Sequence, residues 1–213
     1  KRAVSLDQIG DTLNAFTRVR QMALAPMSAL GNMMIGISGN YMYAAAGENM
    51  DTTSMNKALW ALKSAPIKYW STGKIEIGNV VPKLAAVMAR YGILGDVTEE
   101  QLYGKTFMDQ LFTFHKSGEY LNQGSSALAQ MYFQKVETKD GKKKPLFDFI
   151  KQNEDGSIDI DFSDIADNDP FKNPAEFDKF FRKVRRVNQK IHGDYHNPKL
   201  IKKDVLGRMF MVF

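Results

Sequence analysis

The sequence predicts a mainly α protein: an irregular multi-helix assembly with one small β-hairpin at about 146–162 and a C-terminal helical hairpin. Three observations carry this reading. Apolar residues recur at three- and four-residue steps along most of the chain. Several of those runs open on a capping residue and close on glycine. Period-two alternation occurs behind an Asp-Gly turn, between residues 155 and 162. With 44% apolar residues in 213 positions the chain can bury a core of useful size. Three regions follow: a helical part at 1–136, an acidic hairpin and loop part at 137–170, and a basic amphipathic part at 171–213.

Ser5 to Arg20 places Leu6, Ile9, Leu13, Phe16 and Val19 on one helical face, with acids early and bases late, as the helix dipole favours. From Gln21 to Gly47 the chain has no Asp, Glu, Lys or Arg over 27 residues, long enough to span the apolar layer of a bilayer as a helix. Pro26, Asn32 and Asn40 interrupt it, and Gly31, Gly36 and Gly39 lower its helix propensity. Small residues at that spacing suit close helix packing, in a buried hairpin as well as in a membrane bundle. The three glycines therefore mark a segment that either packs inside an assembly or meets lipid.

Ser54 to Lys63 carries Leu59, Trp60 and Leu62, and Pro66 to Trp70 bends the chain. Lys74 to Ile77 is a short strand or a loop. After Asn79, the run from Val80 to Gly92 has the cap, early proline and closing glycine of a helix. Thr98 with Gln101 forms a capping box for a short helix ending at Gly104. Thr106 to Lys116 and Glu119 to Val136 read as two helices divided at Ser117-Gly118, the second weakened at Gly124. Their aromatic residues, among them Tyr120, Tyr132 and Phe133, belong to the core more readily than to a nucleic-acid stacking surface.

Lys139 to Lys144 is a charged turn. Leu146, Phe147, Phe149 and Ile150 then precede Asn153-Glu154-Asp155-Gly156, after which Ile158, Ile160 and Phe162 alternate with Asp159 and Asp161, the pattern of a hairpin. Asn173-Pro174-Ala175-Glu176 opens the best-defined helix. Phe177, Phe180, Phe181, Val184, Val187 and Ile191 form its apolar stripe, and Lys179, Arg182, Lys183, Arg186 and Lys190 line the other side. It ends at Gly193. A second amphipathic helix from Asn197-Pro198 completes a helical hairpin.

Charge is sorted along the chain. Pro145 to Pro170 holds eight acids against Lys151, whereas Phe171 to Phe213 holds eleven Lys and Arg against four acids. The two blocks are expected to dock on one another or to lie side by side in solvent. The alternative use of the basic block is binding nucleic acid through Lys179, Arg182, Lys183, Arg186 and Lys190.

Tests for chemistry come back empty in the sequence. There are no cysteines, which excludes disulfides, thiolate metal sites and cysteine nucleophiles, and leaves no crosslink to oppose threading through a tube. His192 and His196 have the spacing of a helical zinc pair, but Gly193 between them breaks the helix such ligands need. Gly156 as the glycine of a calcium loop would require acids where Lys151 and Phe162 stand. Neither a phosphate-binding glycine loop nor a nucleophile elbow occurs. No enzyme activity, cofactor or metal is expected. The start at Lys1-Arg2 and the apolar finish at Met209 to Phe213 suggest a segment of a longer polypeptide.

One resemblance adds to this. Val187-Asn188-Gln189-Lys190-Ile191-His192-Gly193-Asp194-Tyr195, then Asn197-Pro198, then Leu206-Gly207-Arg208 before an apolar run to Phe213, resembles a pattern in very large virion proteins of crAss-like podoviruses. It covers roughly the last 30 residues. The resemblance implies a cargo or ejection protein, stored in the capsid or tail lumen and delivered into the host with the genome. Its implied partners are other virion proteins (portal, tail barrel or further cargo copies), viral DNA and, transiently, a membrane. A nucleic-acid-binding module and a static component of a portal or tail assembly are the alternatives.

Overall fold

The computed structural model describes residues 26–63, 80–93, 113–153 and 157–192. The expected helices at Ser5–Arg20 and Thr98–Gly104, the bend at Pro66–Trp70, the Lys74–Ile77 segment and the second arm of the C-terminal hairpin lie outside those residues. The protein is mainly helical, with two small antiparallel strand pairs.

Helix α1 spans Pro26–Ala45, α2 Thr52–Leu62, α3 Val80–Arg90 and α4 Thr113–Phe133. Proline is tolerated at the first position of α1, where its missing N–H has no helical acceptor to serve. The helix then continues through Gly31, Asn32, Gly36, Gly39 and Asn40 without a break, so the interruptions expected at Asn32 and Asn40 do not occur. Packing offsets their weak propensity: Asn40 is fully buried and donates its amide to Asn122 O at 2.8 Å and Ser125 Oγ at 3.2 Å on α4. Asp51 caps α2 by accepting the Ser54 N–H at 2.7 Å, and hydrogen bonds from the Ser54 side chain and then its backbone hold the carboxyl below the usual range. Helix α3 ends in the glycine-closed form, with Gly92 at φ 57°, its N–H donated to Ala89 O and that of Ile93 to Met88 O.

Helix α4 corrects the expected division at Ser117-Gly118. It runs unbroken from Thr113 to Phe133, with Gly118 buried. At Gly124, where weakness was expected, side chains of Leu62, Leu84 and Met88 come within 3.5–3.6 Å of where a Cβ would stand. Three helices meet there, and their packing outweighs the poor intrinsic propensity of two glycines. The helix stops at Phe133, short of Val136, because the next residues pair as a strand.

Strand β1, Lys135–Glu137, is antiparallel to β2, Lys143–Pro145, around a turn that carries Gly141 at φ 72°. This pair was not expected; β1 is Lys-Val-Glu, with Val136 buried, and β2 is Lys-Lys-Pro, both too short for a period of two to be read. The expected hairpin is present but shorter: β3, Ile150–Gln152, pairs with β4, Ile158–Ile160. Leu146–Phe149 forms a 3-10 turn. Leu146, Phe147 and Phe149 are all buried there, and no strand could bury both neighbours Leu146 and Phe147 on one face.

Helix α5 spans Pro174–His192, and Asn173 Oδ1 accepts the Ala175 N–H at 3.0 Å. It buries Phe177, Phe181, Val184 and Val187. Tyr91 stacks on Phe181 at 4.1 Å, while Phe162 and Phe171 meet Phe177 edge-on.

Helix α4 lies at the centre, packed by α1, α2, α3 and α5. Helix α3 carries the β region on two cations. Lys83 Nζ donates to Phe147 O at 3.0 Å and Ile150 O at 2.9 Å, 4.0 Å above the Phe147 ring, and Arg90 donates to Ile158 O at 2.7 Å. Burial pushes the Lys83 ammonium below its ordinary pKa, against a smaller raising effect of Asp148. The acidic block spends its charge locally, in Lys144–Asp164, Lys151–Asp161 and Lys172–Asp167. Only Lys172 among these belongs to the basic block, so of the two expected arrangements, docking or lying side by side, the described residues show one ion pair between the blocks, with Phe162 edge-on to Phe177.

Two stability predictions follow from these contacts. A Cβ at Gly36 would lie 2.1 Å from Asn122 Nδ2, whereas one at Gly31 meets nothing within 4 Å. Gly36→Ala is expected to lower stability by about 1–3 kcal/mol, and Gly31→Ala to raise it by up to about 1 kcal/mol, both read from urea unfolding. Lys83→Met, which keeps the stem and removes the donor, is expected to cost about 1–3 kcal/mol; a melting curve matching the parent would show that the two carbonyls need no ammonium.

Candidate functional site

Helix α5 presents a charged face because its apolar stripe is fully used on the core. Lys179, Arg182, Lys183, Arg186 and Lys190 are exposed, and Arg185, absent from the expected set, is exposed with them. Lys179 pairs with Glu176 at 3.3 Å. Among the described residues Arg182, Lys183, Arg185, Arg186 and Lys190 have no carboxylate partner within 4.0 Å.

Lys183, Arg186 and Lys190 form one wall of a groove with a volume of about 720 Å³. The opposite wall is the end of α1 and the turn after it: Tyr43, Glu48 and Asn49. Residues 183, 186 and 190 are three and four apart, so they share one side of the helix. Lys190 Nζ lies 5.6 Å from the centre of the Tyr43 ring, which joins the walls at one end. Asn49 Oδ1 is shielded from water and, among the described residues, lacks a hydrogen-bond partner, as do the core atoms Asn122 Oδ1 and Asn188 Oδ1. An amide oxygen in that state costs free energy until a donor reaches it. The groove therefore offers cations on one side, and a carboxylate and an aromatic ring on the other. Nothing in the sequence linked these walls, since Tyr43 and Lys183 are far apart in the chain and Tyr43 sits in a stretch without charge.

The glycines expected to mark a packing or membrane-active segment fall in different surroundings. Gly36 lies against Asn122, a Cβ at Gly39 would meet Ile191 at 3.8 Å, and Gly31 has open space. Asn122 also donates to Asn32 O at 3.3 Å, so this part of α1 is tied to α4 by amides. The other side of α1 faces solvent with Met34, Ile35 and Met42, which are 67–73% exposed. No described helix is long and apolar enough to cross a membrane.

His192 sits at the last turn of α5, against Asn40. Its Nε2 is 2.9 Å from Asn40 Oδ1. Asn40 already donates its amide to α4, which leaves its oxygen to accept, so Nε2 carries the hydrogen. Burial lowers the His192 pKa below its ordinary 6.5, partly opposed by Glu119. His196 lies outside the described residues. No group of three or more metal-ligating side chains occurs among the described residues, and Asp161 is bound to Lys151 and Ser163.

Compared with family models, with curated proteins and with solved structures, the chain matches none.

The His192 contact gives a signed pH dependence. Folding lowers its pKa, so the unfolded chain holds the proton more tightly; stability is complete above about pH 6.5 and declines as pH falls toward the folded-state value. The His192 ring signals are expected to titrate with a midpoint below 6.5, and His192→Gln to flatten the decline. An identical decline in the variant would assign it to other groups.

Proposed function

We propose that this chain is a segment of a phage virion cargo or ejection protein, stored in the capsid or tail lumen and delivered into the host with the genome. The observation that carries the reading is the pattern from Val187 to Phe213 that resembles crAss-like virion proteins. Its first residues form the last turns of α5, where Val187 and Asn188 are buried and His192 is bonded to α1. On this reading the protein works through contacts with other virion proteins and performs no reaction. Two surfaces suit such contacts. The exposed Met34, Ile35 and Met42 offer an apolar stripe to a neighbouring virion protein, and transiently to lipid during delivery. The cations of α5 offer a charged face to packaged DNA.

Purified particles analysed by mass spectrometry before and after genome release test this directly. Peptides of the chain are expected in full particles and missing from emptied ones. Retention at a fixed copy number matching the particle's symmetry would instead support a static portal or tail component.

The cations of α5 that have no carboxylate partner among the described residues favour a second reading, a nucleic-acid-binding module. Phosphate contacts release counterions, so affinity is expected to fall steeply between low and physiological salt. Replacing Lys183, Arg186 and Lys190 together by Gln is expected to weaken binding and to flatten the salt slope, measured by fluorescence anisotropy with a labelled oligonucleotide.

A further inference from the structure

The groove between α5 and the end of α1 is divided by chemistry. Lys183, Arg186 and Lys190 form a wall of donors and positive charge, which suits phosphate oxygens. Glu48, exposed across from them, is an acceptor. A phosphate cannot serve that wall, because a phosphodiester has no hydrogen to donate and Glu48 repels its charge. The wall needs a ligand that donates. Tyr43 adds an aromatic ring at the same place.

A nucleotide with its base out of the stack has both halves of this chemistry. Its phosphate is an anionic acceptor, its base carries N–H groups that can donate, and the base has a flat face for a ring. In a duplex the faces of the bases are stacked on one another and the remaining edge donors lie on the groove floors, so Tyr43 finds no free face and the phosphates alone match. We propose that the groove binds single-stranded nucleic acid, with backbone phosphates along Lys183, Arg186 and Lys190, one base against Tyr43, and its edge donating to Glu48. The volume of about 720 Å³ lies in the range of ordinary small-ligand sites. The proposal rests on the nucleic-acid-binding reading of α5 and adds to it the kind of strand recognised.

The test uses the 213-residue chain with a labelled twelve-nucleotide single strand and the corresponding twelve-base-pair duplex, by fluorescence anisotropy at low salt. The single strand is expected to bind more tightly than the duplex. Tyr43→Leu is expected to weaken single-strand binding by about 5- to 100-fold, the range for loss of one stacked base, and to leave the duplex unchanged. Tyr43→Phe keeps the ring and should bind as the parent does, which separates stacking from a folding defect. Substituting Gln at Lys183, Arg186 and Lys190 together should weaken both ligands alike. Equal binding of the two ligands, indifferent to Tyr43→Leu, would overturn the single-strand assignment while keeping a basic nucleic-acid face. No binding of either ligand at low salt would overturn both.

Discussion

A helix enclosed on nearly every side needs partners for the polar groups it carries, and α4 carries many, one of which, Asn122 Oδ1, finds no partner among the described residues. Ser125 and Ser126 are fully buried, and Asn122 and Gln130 almost so. Such groups are costly in a core unless hydrogen-bonded. Asn40 of α1 reaches Asn122 O and Ser125, Asn122 reaches Asn32 O, and Asn188 of α5 donates to Gln123 O at 3.0 Å. Gln130 turns back on Ser126. The amides thus set where α1 and α5 lie against α4, while Leu62, Leu84 and Met88 fill the space at Gly124. Apolar packing supplies the bulk of the burial; the amides select one arrangement.

That arrangement also makes the groove. Asn40 fixes α1 against α4 and accepts from His192, so the C-terminal ends of α1 and α5 are held side by side. Tyr43, three residues past Asn40, and Lys190, two before His192, then face one another. Three acids of the acidic block, Asp164, Asp161 and Asp167, pair with Lys144, Lys151 and Lys172, none of which is on α5. Had the two blocks docked as their opposite charges suggested, the cations of α5 would be engaged. Surface ion pairs contribute little stability, so nothing forces these acids to reach past the nearby Lys144, Lys151 and Lys172 to α5.

Much of the helical part was legible in the residues themselves. Asn173-Pro174 and the Phe177 to Ile191 stripe define α5, and Val80 to Gly92 defines α3, because caps, closing glycines and a 3.6-residue period are local properties of the chain. The exposed cations at 179, 182, 183, 186 and 190 were legible for the same reason: once the apolar stripe is placed, the opposite face follows. The second hairpin was readable at Ile158 to Ile160, where alternation is present.

Other features belong to the tertiary structure alone. The continuity of α4 through Gly118 and Gly124, and of α1 through Asn32 and Asn40, depends on helices that arrive from distant parts of the chain and repay poor propensity with burial. The β1–β2 pair has no local pattern, and its edge is completed by Thr138 against Ile165 and Ala166 N–H to Glu137 O. Tyr43 and Asn49 became groove residues only because α1 and α5 end together. Sequence spacing reports which side chains share a face of one element; which two faces meet is decided by the core they bury in common.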